Sequence, residues 1–558
     1  MIRLLMLTRG IGAFVLLGGL SVFLGASPVS AGGVVGNGTP ASCTQTAFDS
    51  KFNTGGTITF NCGTSPKTIV LTSLHTVSVN TVIDGGKKIT LAAQGNSLFK
   101  VLAGKSLTLK NITLRDGNAA GAGALENFGT TLLQKVTLTN NQSSSGAGAI
   151  VNHGTLTLKN SNVNGNQGAY GAVMHESGTL TVDSTTFMSN SGQDGGALYI
   201  NSGATSTISN STFSENTASY GGALENNGTL SVTRTTFDKN FATADGGAIW
   251  NLSGNLTLQD TYLSRNTSGT TGGALSNYGN QMTLRRTTIA LNTTTGQGGG
   301  IYNDGTATLE NVTLGENEAA NGGGYYQSFG TSTLNFVTMT SNNGTARGGA
   351  IYRSGGSISL RNVLLAYNSS ENCYGTVSSQ GHNMSYDATC AGFNQSGDQN
   401  NIEQYMSSLG YRGGYAPTYL PSEPLYNVND GINTGVPTTD QRGMPRFIGT
   451  APDIGAVEFC ETVPEKPKLL SPAKGTTVNK RRVVLDWNDP VCGTLFYVEL
   501  RRDSKNGTLV VNPPQPLGVS TFKTPVLMRG HKYVWRVFTV GDSTMNPAVS
   551  GWFTFSVP

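Results

Sequence analysis

From about Ala120 to Asn368 the chain repeats itself. A glycine-rich turn runs into a small residue and then an apolar one: Leu125, Ile150, Val173, Leu198, Leu224, Ile249, Leu275, Ile301, Tyr325 and Ile351. Leu125 to Ile351 takes nine steps, a mean period of about 25 residues. A second mark keeps the same beat. An apolar residue stands three before an asparagine at Asn141, Asn166, Asn190, Asn216, Asn240, Asn266, Asn292, Asn317, Asn342 and Asn368. Two marks held in phase over ten copies require a solenoid, in which each repeat packs on its neighbours.

The solenoid is a β one. Segments such as GTLTLKN (154–160), GTLTVDS (178–184) and GTLSVTR (228–234) place an apolar residue at every second position, the period of a half-buried strand. Thr, Val, Leu and Ile fill these runs, while Gly, Asn and Ser fill the gaps between them. Some 25 residues holding three short strands make one rung of a parallel β-helix, with rungs stacking at roughly 4.8 Å. About 13 rungs at that spacing give a rod roughly 60 Å long.

Within a rung such as GGAIWN (246–251), alternation turns Ile249 inward, Trp250 outward and Asn251 inward at the turn. Asn152, Asn226, Asn251, Asn277 and Asn303 are therefore expected to stack as a structural amide ladder. Lys159 and Asp183 occupy matching outward places in successive rungs, as do Arg285 and Glu310. Such exposed pairs are each worth under ~1 kcal/mol and serve register more than stability.

Residues 1–31 read as a secretory signal, with an uncleaved membrane anchor as the alternative: Arg3 and Arg9, an apolar stretch from Ile11 to Ala26, and a small-residue cleavage site at Val29-Ser30-Ala31. No later apolar run reaches membrane-spanning length, so no membrane insertion is expected after signal cleavage. A secreted or cell-surface location follows. Export favours disulfides. Six cysteines allow 15 pairings, or some free thiols; sequence proximity suggests Cys43–Cys62, Cys373–Cys390 and Cys460–Cys492, all outside the repeats. A net charge of +4, with only 12% charged residues, argues against a nucleic-acid partner. No CxxC spacing occurs and His is scarce, so neither metal nor cofactor is expected.

Before the repeats, residues 32–60 look like a polar lead-in, followed by strands at TITF (57–60) and KTIVLTS (67–73) and irregular rungs at 82–94 and 105–117. With its Ile-Asp-Gly-Gly turn at Ile83 to Gly86, this stretch resembles the early rungs of pectin-lyase-like right-handed β-helices. The Cys43–Cys62 loop is the candidate for part of a cap over the otherwise unpaired first rung. Inside the repeats, GGALYIN (195–201) with FSEN (213–216), and GGALENN (221–227) with FDKN (237–240), resemble the repeats of polymorphic outer-membrane proteins. Those are surface adhesins ending in a membrane β-barrel, a segment this sequence does not contain.

The period stops after Asn368. The succession of NCYGTVSSQGHNMSYDATC (372–390), a stretch at 397–421, TDQRGMPR (439–446) and DIGAVE (453–458) is similar to the choice-of-anchor Q module, which closes β-helices of bacterial surface proteins. Asp440, Arg442, Arg446, Asp453 and Glu458 offer opposite charges that could tie a looped tail onto the last rungs. ETVPEKPK (461–468) is a Pro-rich linker, and 469–558 holds three of the four Trp in alternating strands and turns. Trp487, Tyr533, Trp535 and Trp552 resemble the pattern of a fibronectin type III domain. The expected plan is all-β: signal peptide 1–31; a right-handed single-stranded parallel β-helix, pectin-lyase-like, at 32–368; a cap at 369–460; a linker at 461–468; and a small Ig/fibronectin III-like β-sandwich at 469–558.

A polysaccharide-cleaving site on such a rod needs carboxylates on adjacent rungs of one face. The spacing does not supply it. Glu126 and Glu225 share an outward position four rungs apart, Asp194 and Asp245 lie beside turn glycines two rungs apart, and His175-Glu176, Asp84 and the GHN at 381–383 stand alone. No catalytic residue is assigned. A binding surface has more support: the outward row reads Tyr199, Glu225, Trp250, Ser276, Tyr302, Tyr326 and Tyr352, and its aromatic members, Tyr199, Trp250, Tyr302, Tyr326 and Tyr352, suit sugar rings or a protein partner. The alternative is an outward ladder that merely braces neighbouring rungs. The reading is a secreted or cell-surface protein for adhesion or for polysaccharide or matrix binding; a pectin-lyase-like lyase or glycoside hydrolase, and a plain spacer, are the alternatives. Oligomeric state is left open.

Overall fold

The computed structural model describes residues 32–490, 492–511, 517–518, 520–542 and 547–558. The expected signal segment, residues 1–31, lies outside the described residues. The chain winds into a right-handed parallel β-solenoid of about 14 turns. Each of the ten apolar marks pairs with the next: Leu125 with Ile150, Ile150 with Val173, and so on to Tyr325 with Ile351.

One rung shows why the sequence folds this way. Leu224–Asn226 belongs to a thirteen-stranded sheet, and Thr229–Thr233 and Thr236–Asp238 belong to a longer second sheet. Phe241–Ala242 joins a narrow six-stranded ladder before the glycine turn delivers the chain to Ile249. Left-handed residues make the corners: Arg234 (φ 47°), Lys239 (φ 55°) and Gly246 (φ 67°). Non-glycine residues there each cost about 1 kcal/mol or more, so the stacking must hold them in place. At the glycine corner a side chain has no room. A Cβ on Gly247 would strike the carbonyl oxygen of Gly273 in the next rung.

The interior is a column of mostly Leu, Ile, Val and Phe contributed by the two larger sheets. Phe187, Phe213 and Phe237 stack at 4.6 and 4.9 Å. Beside them runs an amide ladder that joins the second set of sequence marks. From Asn141 to Asn342, each Asn passes its backbone N–H and its Nδ2 to the Oδ1 of the next, ending on Asn368. Each of these asparagines follows a left-handed residue, from Asn140 and Gly165 to Tyr367. The ladder thus satisfies the backbone at the corner where the strand ladder is interrupted.

Both ends of the core are covered. At the first, an α-helix, Gln45–Phe52, starts at Thr44, whose hydroxyl accepts from the Ala47 N–H at 3.2 Å. It sets Phe48 and Phe52 against His75 and Phe99. This helix stands where the sequence suggested only a polar lead-in, and Gly33–Val35 there pairs with Ile58–Phe60. The Cys43–Cys62 disulfide encloses the helix. At the far end, Cys373–Tyr374 and Met384–Ser385 add partial coils, and Cys373–Cys390 with Phe393 closes the core.

Residues 401–458 then turn back along the outside of the long sheet instead of remaining on the last rungs. Thr236 meets Tyr415, Thr288 donates to the Pro417 carbonyl at 2.7 Å, Tyr419 donates to Glu316 at 2.7 Å, and Thr338 accepts from the Ala456 N–H at 2.9 Å. From Leu469 onward the strands form small, mostly antiparallel sheets around a core that includes Leu485, Trp487, Phe496, Val498, Trp535 and Phe555.

Candidate functional site

The middle residue of each strand in the thirteen-stranded sheet faces outward. In register along it stand Met174, Tyr199, Glu225, Trp250, Ser276, Tyr302, Tyr326, Tyr352 and Tyr374. Tyr302, Tyr326, Tyr352 and Tyr374 stack at 5.3, 4.9 and 4.6 Å, with interplanar angles of 16°, 5° and 19°. Ser276 leaves a gap that Tyr278 bridges, 5.3 Å from Tyr302 and 6.4 Å from Trp250. Tyr220, from a glycine turn, stacks on the other side of Trp250 at 4.4 Å. Four of the five expected aromatics, Trp250, Tyr302, Tyr326 and Tyr352, therefore share one column. Tyr199 stands apart, tilted against Tyr170 at 4.8 Å.

Parallel rings at rung spacing spend their faces on one another. Tyr302 and Tyr326 are only 8% and 6% exposed. What the column offers outward is ring edge and phenol hydroxyl, with a free face chiefly at its ends. Burial raises the Tyr278 and Tyr302 phenols, which keeps them as hydrogen-bond donors through the ordinary pH range. Tyr220 and Tyr278 were missed because they sit at turn positions, outside the outward row. Tyr374 could have been found by carrying the period one step past Tyr352.

The carboxylates on this side of the rod stay on separate rungs, as the spacing implies. Asp194, Glu225 and Asp245 step along three successive rungs. Asp194 pairs with Tyr220 across the turn, Glu225 follows that turn, and Asp245 opens the next. Glu225 is 3% exposed, between Tyr199 and Trp250. Its Oε1 accepts from Asn227 Nδ2 at 2.8 Å, while Oε2 has no partner, and the indole N–H of Trp250 beside it is likewise buried and unpaired. Burial, opposed by Asn227 and aided by the charge on Asp194, pushes the Glu225 carboxyl up to about 7. Burial raises Asp194 as well. Asp245 is held by the hydroxyls of Thr270 and Thr271.

The other singled-out residues have structural partners. Asn226 donates to Asn251, Asn251 to Asn277 and Asn277 to Asn303, at 2.7, 2.6 and 2.6 Å. Asn152 is separated from that run: it accepts from Asn127 and meets Nδ1 of His175, which takes the asparagine's place in its rung. Burial lowers the pKa of His175; the neutral ring accepts from Asn152 and donates through Nε2 to the Thr205 carbonyl at 3.2 Å. Glu126 pairs with Lys100 at 2.8 Å, and Asp84 holds its own turn and Asn111. Lys159–Asp183 and Arg285–Glu310 meet at 4.0 and 3.6 Å.

The five charged residues of the tail are buried together. Arg442 binds Asp440 at 3.0 Å and Asp542, in the C-terminal region, at 2.7 Å. Arg446 lies 3.6 Å from Glu458 and 4.3 Å above the ring of Phe336, and donates to Asn311. Burial raises the carboxyls of Asp453 and Glu458, and the charge on Asp453 adds to the rise at Glu458. Cys460 and Cys492 are bonded, completing three disulfides. These fit an extracellular protein. Among the described residues no helix is long and apolar enough to cross a membrane, and no cluster of three His, Cys, Asp or Glu side chains could hold a metal ion.

No curated protein matches the chain. Residues 145–318, which carry Glu225 and the first part of the aromatic column, match the family described as right handed beta helix region.

Proposed function

We propose that this is an exported binding protein whose rod engages a polysaccharide or a surface protein along the aromatic column from Tyr220 to Tyr374. The observation that carries the reading is the column itself: seven rings in line on one face, their edges carrying a hydroxyl at nearly every rung. A linear polymer lying along the rod meets a donor at each repeat of the protein. In this reading residues 1–31 are the export signal, 369–460 a choice-of-anchor Q-like cap, 461–468 a linker, and 469–558 a fibronectin type III-like sandwich that spaces the rod from its attachment. Support for the sandwich is the shared core of Trp487, Phe496 and Trp535 under small antiparallel sheets.

The test keeps the stack and removes the hydroxyls. Tyr302→Phe, Tyr326→Phe and Tyr352→Phe together should weaken retention on the preferred polymer by about a hundredfold, three hydrogen bonds at about 1 kcal/mol each. Unaltered retention leaves the column as a brace between rungs.

One observation favours a second reading, a polysaccharide lyase or glycoside hydrolase. Burial pushes Glu225 up to about 7, and the charge on Asp194, one rung away, adds to the rise. A protonated acid beside another carboxyl is what glycosidic cleavage requires. Reducing ends or unsaturated products from a panel of acidic and neutral polysaccharides, abolished by Glu225→Gln, would favour the enzyme; retention without products favours the binder.

A further inference from the structure

A separate group of tyrosines lies at the C-terminal end of the solenoid. Tyr367 lies 5.1 Å from Tyr386, tilted by 38°, and 5.9 Å from Tyr405, at 25°. Glu403, and to a lesser degree Tyr386 and Tyr426, lie near enough to Tyr405 to raise its phenol. Unlike Tyr302 and Tyr326, these rings are open: Tyr386, Tyr405 and Tyr426 are 40%, 43% and 50% exposed.

The group is held from below. Gln404 is fully buried, its Oε1 accepting from the Tyr426 N–H at 2.8 Å and its Nε2 donating to the carbonyls of Tyr405 and Ser422 at 2.9 and 2.8 Å. Tyr405–Met406 also pairs antiparallel with Pro421–Ser422. One buried amide thus fixes two neighbouring segments, so Tyr405 and Tyr426 are presented in place without a ligand to order them. On the rung side, the Tyr386 N–H donates to the Leu365 carbonyl at 3.0 Å, seating its ring beside Tyr367.

Charge narrows what could lie there. Between Arg361 and Arg412 the sequence holds no Lys or Arg but carries Glu371, Asp387, Asp398 and Glu403. Glu371 is paired with Arg347 at 3.7 Å; the other acids leave this stretch of chain negative, which disfavours a polyanion. Open phenol faces suit the apolar face of a pyranose, and the hydroxyls and Glu403 suit sugar hydroxyls or an amine.

We propose that Tyr367, Tyr386, Tyr405 and Tyr426, with Glu403, form a second binding site, for an uncharged or amine-bearing glycan. The inference rests on the glycan-binding reading of the rod but places a contact at its end, independent of the column. The probes are soluble chito-oligosaccharides, cello-oligosaccharides and polygalacturonate, titrated into the full-length protein by calorimetry. Three proteins are compared: the unaltered chain, the variant Tyr386→Ala/Tyr405→Ala/Tyr426→Ala, and the column variant Tyr302→Phe/Tyr326→Phe/Tyr352→Phe. The exposed positions of the first variant leave the core intact, which circular dichroism checks. The expected result is binding of a chito- or cello-oligosaccharide by the unaltered protein and by the column variant. Loss of one open ring should weaken it about tenfold, and loss of three should abolish measurable heat. Polygalacturonate should not bind at this end. Full binding in the Tyr386/Tyr405/Tyr426 variant overturns the proposal, and with loss in the column variant it leaves the column reading standing. Tighter binding of polygalacturonate, lost in the Tyr386/Tyr405/Tyr426 variant, also overturns it. No binding of any probe to the unaltered chain overturns the proposal, while the column reading stands or falls on its own retention test.

Discussion

Replacing Glu225 with Gln should stabilise the solenoid at neutral and alkaline pH and leave it unchanged in acid. The carboxyl has an ordinary value of 4.5 and is pushed up to about 7 in the folded chain. Below 4.5 the acid is protonated in both states and costs nothing extra. Between 4.5 and 7 the unfolded chain ionises while the folded one resists, so stability falls as pH rises; above 7 the loss is complete. A shift of this size corresponds to about 3 kcal/mol. The Gln amide has the shape of the protonated acid, retains an Oε1 for Asn227, and does not titrate. Hydrogen exchange of the Leu198–Ile200, Leu224–Asn226 and Ile249–Asn251 strands provides the assay, with both proteins compared at each pH. At pH 8 the variant should be protected about a hundredfold more than the unaltered chain, and at pH 4 equally. Equal differences at both pH values, or a variant less protected at pH 8, would refute the account of Glu225 as a buried acid held neutral.

Three further changes follow from the packing. Asn240→Ala removes four ladder bonds and strands the Asn216 N–H and the Phe213 carbonyl in a buried site; it should cost ~4 kcal/mol, seen as a lowered thermal midpoint or as failure to accumulate. Arg446→Met leaves Glu458 and the Asn311 amide oxygen without their cation, and should lower stability by about 3–5 kcal/mol in chemical denaturation. Replacing both Cys460 and Cys492 with Ser releases one of the ties to the C-terminal strands; limited proteolysis should then cut within 461–468 sooner, while the amide signature of the solenoid persists.

What the sequence could reveal follows from what a period reports. It shows which positions are equivalent from rung to rung, so the inward Leu125-to-Ile351 row and the run from Asn226 to Asn303 were legible in advance. It is silent on contacts between non-equivalent positions. Asp194 and Glu225 lie 31 residues apart, not a multiple of the repeat, because one belongs to a turn and the other to a strand. Tyr220 and Trp250 meet for the same reason. The asparagines from Asn141 to Asn368 are in phase in the sequence, but the ladder they form is not legible there, since the corner they brace shows only in the left-handed backbone before each one. The helix at Gln45–Phe52 gave too little pattern to read: Phe48 and Phe52 are its only buried side chains.

The returning tail has a mechanical meaning. Stacked repeats held only by their neighbours fray from the ends, each coil peeling with little reference to those farther along. Here a single segment grips Thr236, Thr288, Glu316 and Thr338, on four different coils. Peeling the last coil therefore also means prising off a splint fastened well upstream. The C-terminal half should resist pulling until it yields as one block, and a rod meant to bear load between two surfaces would profit from that.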